Sequence, residues 1–199
     1  MICKYLKIID MITKRILLAA FALVIAGTVN AQSFKANVEK SELKWTAKKV
    51  TGQHTGHIKL IDGVLTVKDN KIVSGTFNID MKSITDDDLT DAGYNQKLIG
   101  HLKTDDFFGV EKFPVTTLVL SESTIFVDNQ TDANGNLTIK GITNPITFKV
   151  IRNGNTYSAN IAVNRAKFDV RYGSGSFFDN LGDKVIDDIF ILDVVLVVE

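Results

Sequence analysis

From Val73 to Met81 the chain alternates without a break, with Val73, Phe77, Ile79 and Met81 on one parity and Ser74, Thr76, Asn78 and Asp80 on the other. An extended backbone sends successive side chains to opposite faces, so this pattern specifies a strand with one apolar and one wet face. Tyr157, Ala159, Ile161 and Val163 repeat it, as do Ile146, Phe148 and Val150. Turn-forming residues follow at short intervals: Asp69-Asn70, Asp132-Ala133-Asn134-Gly135, Asn144-Pro145 and Asn153-Gly154-Asn155. Such spacing predicts antiparallel hairpins rather than parallel crossovers. Ile58 and Leu60 lie on one parity and Leu65 and Val67 on the other, which predicts a bulge or bend at Asp62-Gly63. Only the stretch near residues 90–103 carries a helical period, through Tyr94, Leu98 and Leu102. The expected class is all-β, a barrel or sandwich with one short helical insertion. Phe190 to Val198 is apolar on both parities except for Asp193, so its outer face needs cover from the N-terminal segment, the helix or a second subunit.

The N-terminus reads as a leader. Lys14-Arg15 precede an apolar run from Ile16 to Gly27, and Val29-Asn30-Ala31 offer small residues for cleavage before Gln32. Residues 1–31 are therefore expected to be removed, leaving 32–199 as one domain outside the inner membrane, periplasmic or secreted. Met11 opens a more compact leader and is the alternative start to Met1. The single cysteine, Cys3, falls in the leader, so disulfides, thiolate catalysis and cysteine-based metal sites are excluded from the mature chain. About 170 residues suffice for a single core without such staples. Of 23 basic and 23 acidic residues, the leader holds Lys4, Lys7, Lys14 and Arg15 against Asp10, so the remainder is mildly acidic. Nucleic acid is excluded as a partner on that balance.

The octet His101-Leu102-Lys103-Thr104-Asp105-Asp106-Phe107-Phe108 follows the helical stretch. With it come Trp45, the run Val50 to Gly56, Asp80-Met81-Lys82-Ser83-Ile84, Leu137-Thr138-Ile139 before Pro145, Asn164-Arg165 with Phe168, and Leu181-Gly182-Asp183. In this order and spacing the set resembles the YceI family, exported bacterial barrels of lipocalin-like form that bind isoprenoids or other long-chain amphiphiles. The resemblance covers nearly the whole mature chain and implies an eight-stranded antiparallel β-barrel. The chain departs from the family pattern at Asp169, where many relatives carry Gly, and at the long loop Gly173 to Phe178.

Few residues suggest chemistry. His54 and His57, three apart on an extended strand, point to opposite faces and make a poor metal pair. Asp86-Asp87-Asp88 with Asp91 lacks the Gly and terminal Glu of a calcium loop and reads as an acidic turn leading into a helix N-terminus. Gly173-Ser174-Gly175-Ser176 lacks the strand-to-helix context of a phosphate loop or nucleophile elbow and reads as a flexible loop. Arg165 has two readings, an ion pair with an acid such as Asp183 or contact with a ligand head group. No catalytic residue, metal or cofactor is expected.

The apolar inward set remains: Trp45, Leu65, Phe77, Ile79, Leu118, Phe148, Ile161 and Phe168. An eight-stranded barrel can fill solid or keep one ligand cavity, and the family resemblance favours the cavity. Leu98, Leu102, Phe107 and Phe108 are expected to form a lid over one barrel end, with Lys97 and Lys103 facing outward, because two adjacent aromatics need burial. The reading is a non-enzymatic carrier or binder of a polyisoprenoid, isoprenoid quinone or fatty amide. Its rivals are a metal- or base-dependent enzyme, which would need titratable residues inside the cavity, and a solid-core structural or stress-related barrel that dimerises through the outer face of the last strand.

Overall fold

The computed structural model describes residues 31–199; the leader expectation lies outside the described residues, save for Ala31. Ten strands form one antiparallel sheet: β1 (Gln32–Lys35), β2 (Glu42–Lys49), β3 (Gly52–His57), β4 (Lys59–Lys68), β5 (Lys71–Asp80), β6 (Val115–Leu120), β7 (Gln130–Ile139), β8 (Ile142–Asn153), β9 (Thr156–Asn164) and β10 (Ile186–Val197). Their order is β1-β4-β5-β6-β7-β8-β9-β10-β2-β3, and one helix, α1 (Ala92–Lys103), is inserted between β5 and β6. The sheet curls strongly. β1 is laddered to β4, yet Lys35 and Glu199 exchange backbone hydrogen bonds and Asn37 N–H donates to Val197 O, so the segment that leaves β1 also bonds the end of β10.

Ten strands appear where eight were expected because two long runs are interrupted. Residues 36–41 separate β1 from β2, with Ser41 bonded to Asn37, and Ile58 separates β3 from β4 while its N–H donates to Leu43 O. The free edge of β3 is not left bare, since Thr85 N–H and Asp87 N–H donate to His57 O and Thr55 O.

The phase slip in β4 is a bulge one residue earlier than expected. Leu60 faces Ile79 and Asp62 faces Asn78, which leaves Ile61 unpaired and 46% exposed. A second bulge falls at Val73, where Thr66 faces Ser74 and Val67 faces Ile72. Ile72, rather than Val73, therefore enters the core. Two expected turns lie inside strands. Asp132 to Gly135 belongs to β7, where Ala133 is fully buried, and Asn144-Pro145 belongs to β8. Proline is tolerated there because β8 is laddered to β9 only from Val150 onward. The reversal between them is made by Lys140 and Gly141, both at positive φ (53° and 75°). Asp69-Asn70 and the turn at Gly154 fall where the sequence places them.

α1 begins at Asp91, whose side chain accepts from Tyr94 N–H, in keeping with the acidic-turn reading. It buries Leu102 and half-buries Leu98 and Ile99, while Tyr94 points to solvent with Lys97 over its ring. Lys103 is not directed outward as expected, because its Nζ donates to Lys82 O at 2.7 Å. α1 does not cover β10, and Ile189 and Val195 on its outer face stay exposed.

Gly56 on β3 illustrates how closely this edge is packed. A Cβ there would collide with the Thr85 carbonyl and lie 2.9 Å from Trp45 Cε2. Gly56→Ala is expected to cost about 2–3 kcal/mol through overpacking, measured by urea unfolding, with a comparable loss of the Trp45 fluorescence signature. A change below about 0.5 kcal/mol would show that the loop yields freely.

Candidate functional site

The concave face of the sheet encloses two apolar cavities of ≈ 100 and ≈ 70 Å³ that share Ile79 and Leu192 in their walls. The first lies at the α1 end. Trp45, Ile79, Leu102, Phe107 and Phe108 of the sequence-derived set line it, together with Arg165. Leu65, Phe77, Ile79, Leu118, Phe148 and Ile161 line the second. Alternation within each strand brings them together: past its bulge β5 turns odd positions inward, as β9 does, and β6 and β8 turn even positions inward. Phe77 has room because glycines flank its ring: a Cβ at Gly63 or Gly75 would come within 2.5 or 3.0 Å of it.

Two members of the set lie elsewhere. Phe168 is 3% exposed and packs in the core, and Leu98 is half-buried against that core; neither lines a cavity. The sequence-derived set omitted Met81, Ile84, Ile139 and Phe190 of the first cavity and Leu43, Leu60 and Tyr157 of the second. Strand parity marks several of these. Ile84 carries no such signal, because it follows a single 3-10 turn, Met81–Ser83, whose position depends on Met81 N–H reaching Pro114 O.

Arg165 has structural partners other than the expected Asp183. It is 3% exposed and its guanidinium donates to four carbonyls: Asp187 O from Nε, Val170 O and Tyr172 O from Nη1, and Ile186 O from Nη2, at 2.8–3.0 Å. The nearby acid is Asp188, 3.6 Å away, rather than Asp183. Burial draws Arg165 down from its ordinary pKa, and the charges of Asp188 and Asp187 oppose that. With these donors committed, little remains for a head group. Asn164 accepts from Ala166 N–H to start the 3-10 turn that places Arg165, and Asp169 ends it at φ 57°, the left-handed conformation that glycine would supply at this departure from the family pattern.

The surroundings of Phe107, at the α1 end of the first cavity, are aromatic. His101 meets Phe107 and Tyr172 edge-on at centroid distances of 5.0 and 4.4 Å, and Phe107 lies 5.4 Å from Tyr172 and 6.2 Å from Phe108. Tyr172 also borders a surface cleft of ≈ 530 Å³, where Phe178 and Leu181 stand beside Lys140, Arg171 and Lys184 and the acids Asp105, Asp106 and Asp169. Its neighbour, the Gly173 to Ser176 loop, is pinned rather than loose: Ser174 is fully buried and its carbonyl accepts from Phe177 and Phe178 N–H. His54 and His57 do not meet a common ligand. His57 lies between Glu42 (2.9 Å) and Asp87 (2.6 Å), and His54 faces Asp88.

A family model described as the YceI-like domain matches residues 34–197. The chain belongs to the YceI-like family. Among solved structures, Burkholderia cenocepacia BcnA is similar at 24% identity and TM-score 0.64, over 82% of this chain and 99% of that one. A polyisoprenoid binding domain from Saccharophagus degradans is similar at 14% identity and TM-score 0.57, over 83% and 97%. At these identities the likeness of this YceI-like chain to both is one of fold. Sequence comparison with curated proteins gave no match.

Proposed function

We propose that this YceI-like protein is an exported, non-enzymatic binder of a long-chain amphiphile, with a polyisoprenoid, isoprenoid quinone or fatty amide as the ligand class. Counted as continuous runs, β1 with β2 and β3 with β4 make two long strands, and the sheet is then an eight-stranded barrel closed on itself. The observation that carries the reading is the pair of apolar cavities meeting at Ile79 and Leu192. A small outward movement of those two side chains joins them into one channel along the barrel. Each CH₂ of a tail taken from water into such a wall contributes about 0.8 kcal/mol. The polyisoprenoid binding of the Saccharophagus degradans domain supports the same choice of ligand class. A polar head group is assigned to Lys184 in the cleft that Tyr172 borders, since Lys140 donates to Asp105 O and Asp169 O and Arg171 pairs with Asp169.

Entry is placed at the aromatic α1 end, where Phe107 and Phe108 line the first cavity. Release of a fluorescent polyprenyl probe tests this. Replacing Phe107 and Phe108 together by Ala is expected to speed release about tenfold or more while costing less stability than the several kcal/mol of two deep core truncations. Unchanged release with a large fall in melting temperature would identify the pair as ordinary core and favour the solid-barrel reading.

A further inference from the structure

Outside the barrel interior, the loop from Thr85 to Leu89 brings two carboxylates against a histidine of β3. His54 Nδ1 lies 2.9 Å from Asp88 Oδ2 and 3.8 Å from Asp86 Oδ2, and one donor atom from each residue lies within 4.8 Å of the others. Each carboxylate is held by its other oxygen. Asp88 Oδ1 accepts from Thr55 N–H at 2.7 Å, and Asp86 Oδ1 accepts from Leu89 N–H at 2.9 Å and from Asn95 Nδ2 at 3.2 Å. The free oxygens therefore converge on one point beside His54. The Asp86 side chain is fully buried, and Oδ2 has no hydrogen-bond partner among the described residues. A buried carboxylate oxygen without a donor is rare and costly, so its orientation toward two further donors calls for a cation.

We propose that His54 Nδ1, Asp86 Oδ2 and Asp88 Oδ2 bind one divalent transition-metal cation, with zinc the best fit. Donors about 2.0–2.2 Å from a tetrahedral zinc lie about 3.3–3.6 Å apart, and the observed 2.9 and 3.8 Å bracket that value. One imidazole nitrogen with two carboxylate oxygens is a borderline set that leaves a fourth position to water. Calcium asks for six to eight oxygens and magnesium for an octahedron, which three fixed donors do not supply.

The site has a mechanical consequence. Asn95 of α1 also donates to Asp86 O and Leu89 O, and Trp45 Nε1 donates to Thr85 O, while Ile84 and Trp45 line the first cavity. A cation here fastens the loop that joins the start of α1 to the cavity wall, whatever the cavity holds.

Trp45 is the only tryptophan, so its emission reports on the loop. Chelator-treated full-length protein should bind zinc chloride 1:1 by calorimetry, with a saturable change in Trp45 emission, and millimolar magnesium should not compete. His54→Ala and Asp88→Asn should each weaken zinc binding about 100-fold or more with the metal-free circular dichroism spectrum unchanged. His57→Ala should leave it within about threefold, since His57 is bonded to other acids. Absence of saturable zinc binding to the parent protein would overturn the proposal. Equal affinity in the His54 and Asp88 variants, or an equal loss in the His57 variant, would overturn it as well.

Discussion

Arg165→Ala is expected to destabilise the fold by about 3–5 kcal/mol, the range for removing one partner from a buried charged network. The change strips donors from the carbonyls of Val170, Tyr172, Ile186 and Asp187 at once and leaves Asp188 without its cation. A neutral carbonyl left unpaired in the interior costs about 1–3 kcal/mol by itself, so partial hydration must offset part of the sum. Arg165→Lys should recover little, because a single ammonium cannot reach four carbonyls in fork geometry. Denaturant unfolding with an unchanged slope measures the effect, and a loss below about 1 kcal/mol would contradict it. Asp188 adds a pH signature. Burial acts to raise its carboxyl, but hydrogen bonds from Ser174 and Ser176 and the Arg165 charge hold it below the ordinary carboxylate range. A folded value below the unfolded one means stability that is complete above the unfolded value and lost as pH falls through the folded one. Acid unfolding should therefore begin at higher pH in Arg165→Met than in the parent protein.

Phe77→Asp is expected to abolish amphiphile binding, with affinity down about 100-fold or more. Phe77 stands in the wall of the second cavity between Gly63 and Gly75, in a lining dominated by apolar side chains such as Leu65, Leu118 and Phe148. Burying a charge there costs several kcal/mol, and each step of about 1.4 kcal/mol is tenfold in affinity. Val119→Asp is the control, since Val119 lies on the outer face of β6 and is 45% exposed, and its change should stay within about 0.5 kcal/mol. Ile79→Trp addresses the same channel without introducing charge, because it fills the junction between the cavities. Normal uptake of a polyprenyl probe by both Phe77→Asp and Ile79→Trp would show that these side chains do not line the binding channel.

Much of this architecture was legible in local pattern. Period-two alternation placed Phe77, Ile79, Phe148 and Ile161 on the concave face, because β pleating leaves a residue no other choice once its neighbours are fixed. The helix near residues 90–103 was equally clear from its period and from the acidic turn that leads into it. What escaped depended on contacts between distant segments. Asn144-Pro145 has turn chemistry, yet it sits in β8 because β7 pairs with it and Lys140-Gly141 makes the reversal. Val73 lost its inward place to Ile72 through a bulge against β4 that no reading of β5 alone contains. Arg165 revealed its carbonyl partners only when Ile186 to Asp188 were brought alongside. His54 likewise failed as half of a pair with His57, because its partners, Asp86 and Asp88, lie 32 and 34 positions later on a loop docked to the edge of β3.

If the barrel holds one long apolar molecule along a channel through Ile79 and Leu192, that molecule should travel with the protein. Native mass spectrometry of protein purified without detergent, followed by solvent extraction, reads this out. The expected result is a 1:1 complex whose extract contains a long-chain amphiphile, present in the parent protein and absent from Ile79→Trp. A single apo species that also fails to take up polyprenol, quinone or fatty amide when these are supplied would contradict the channel.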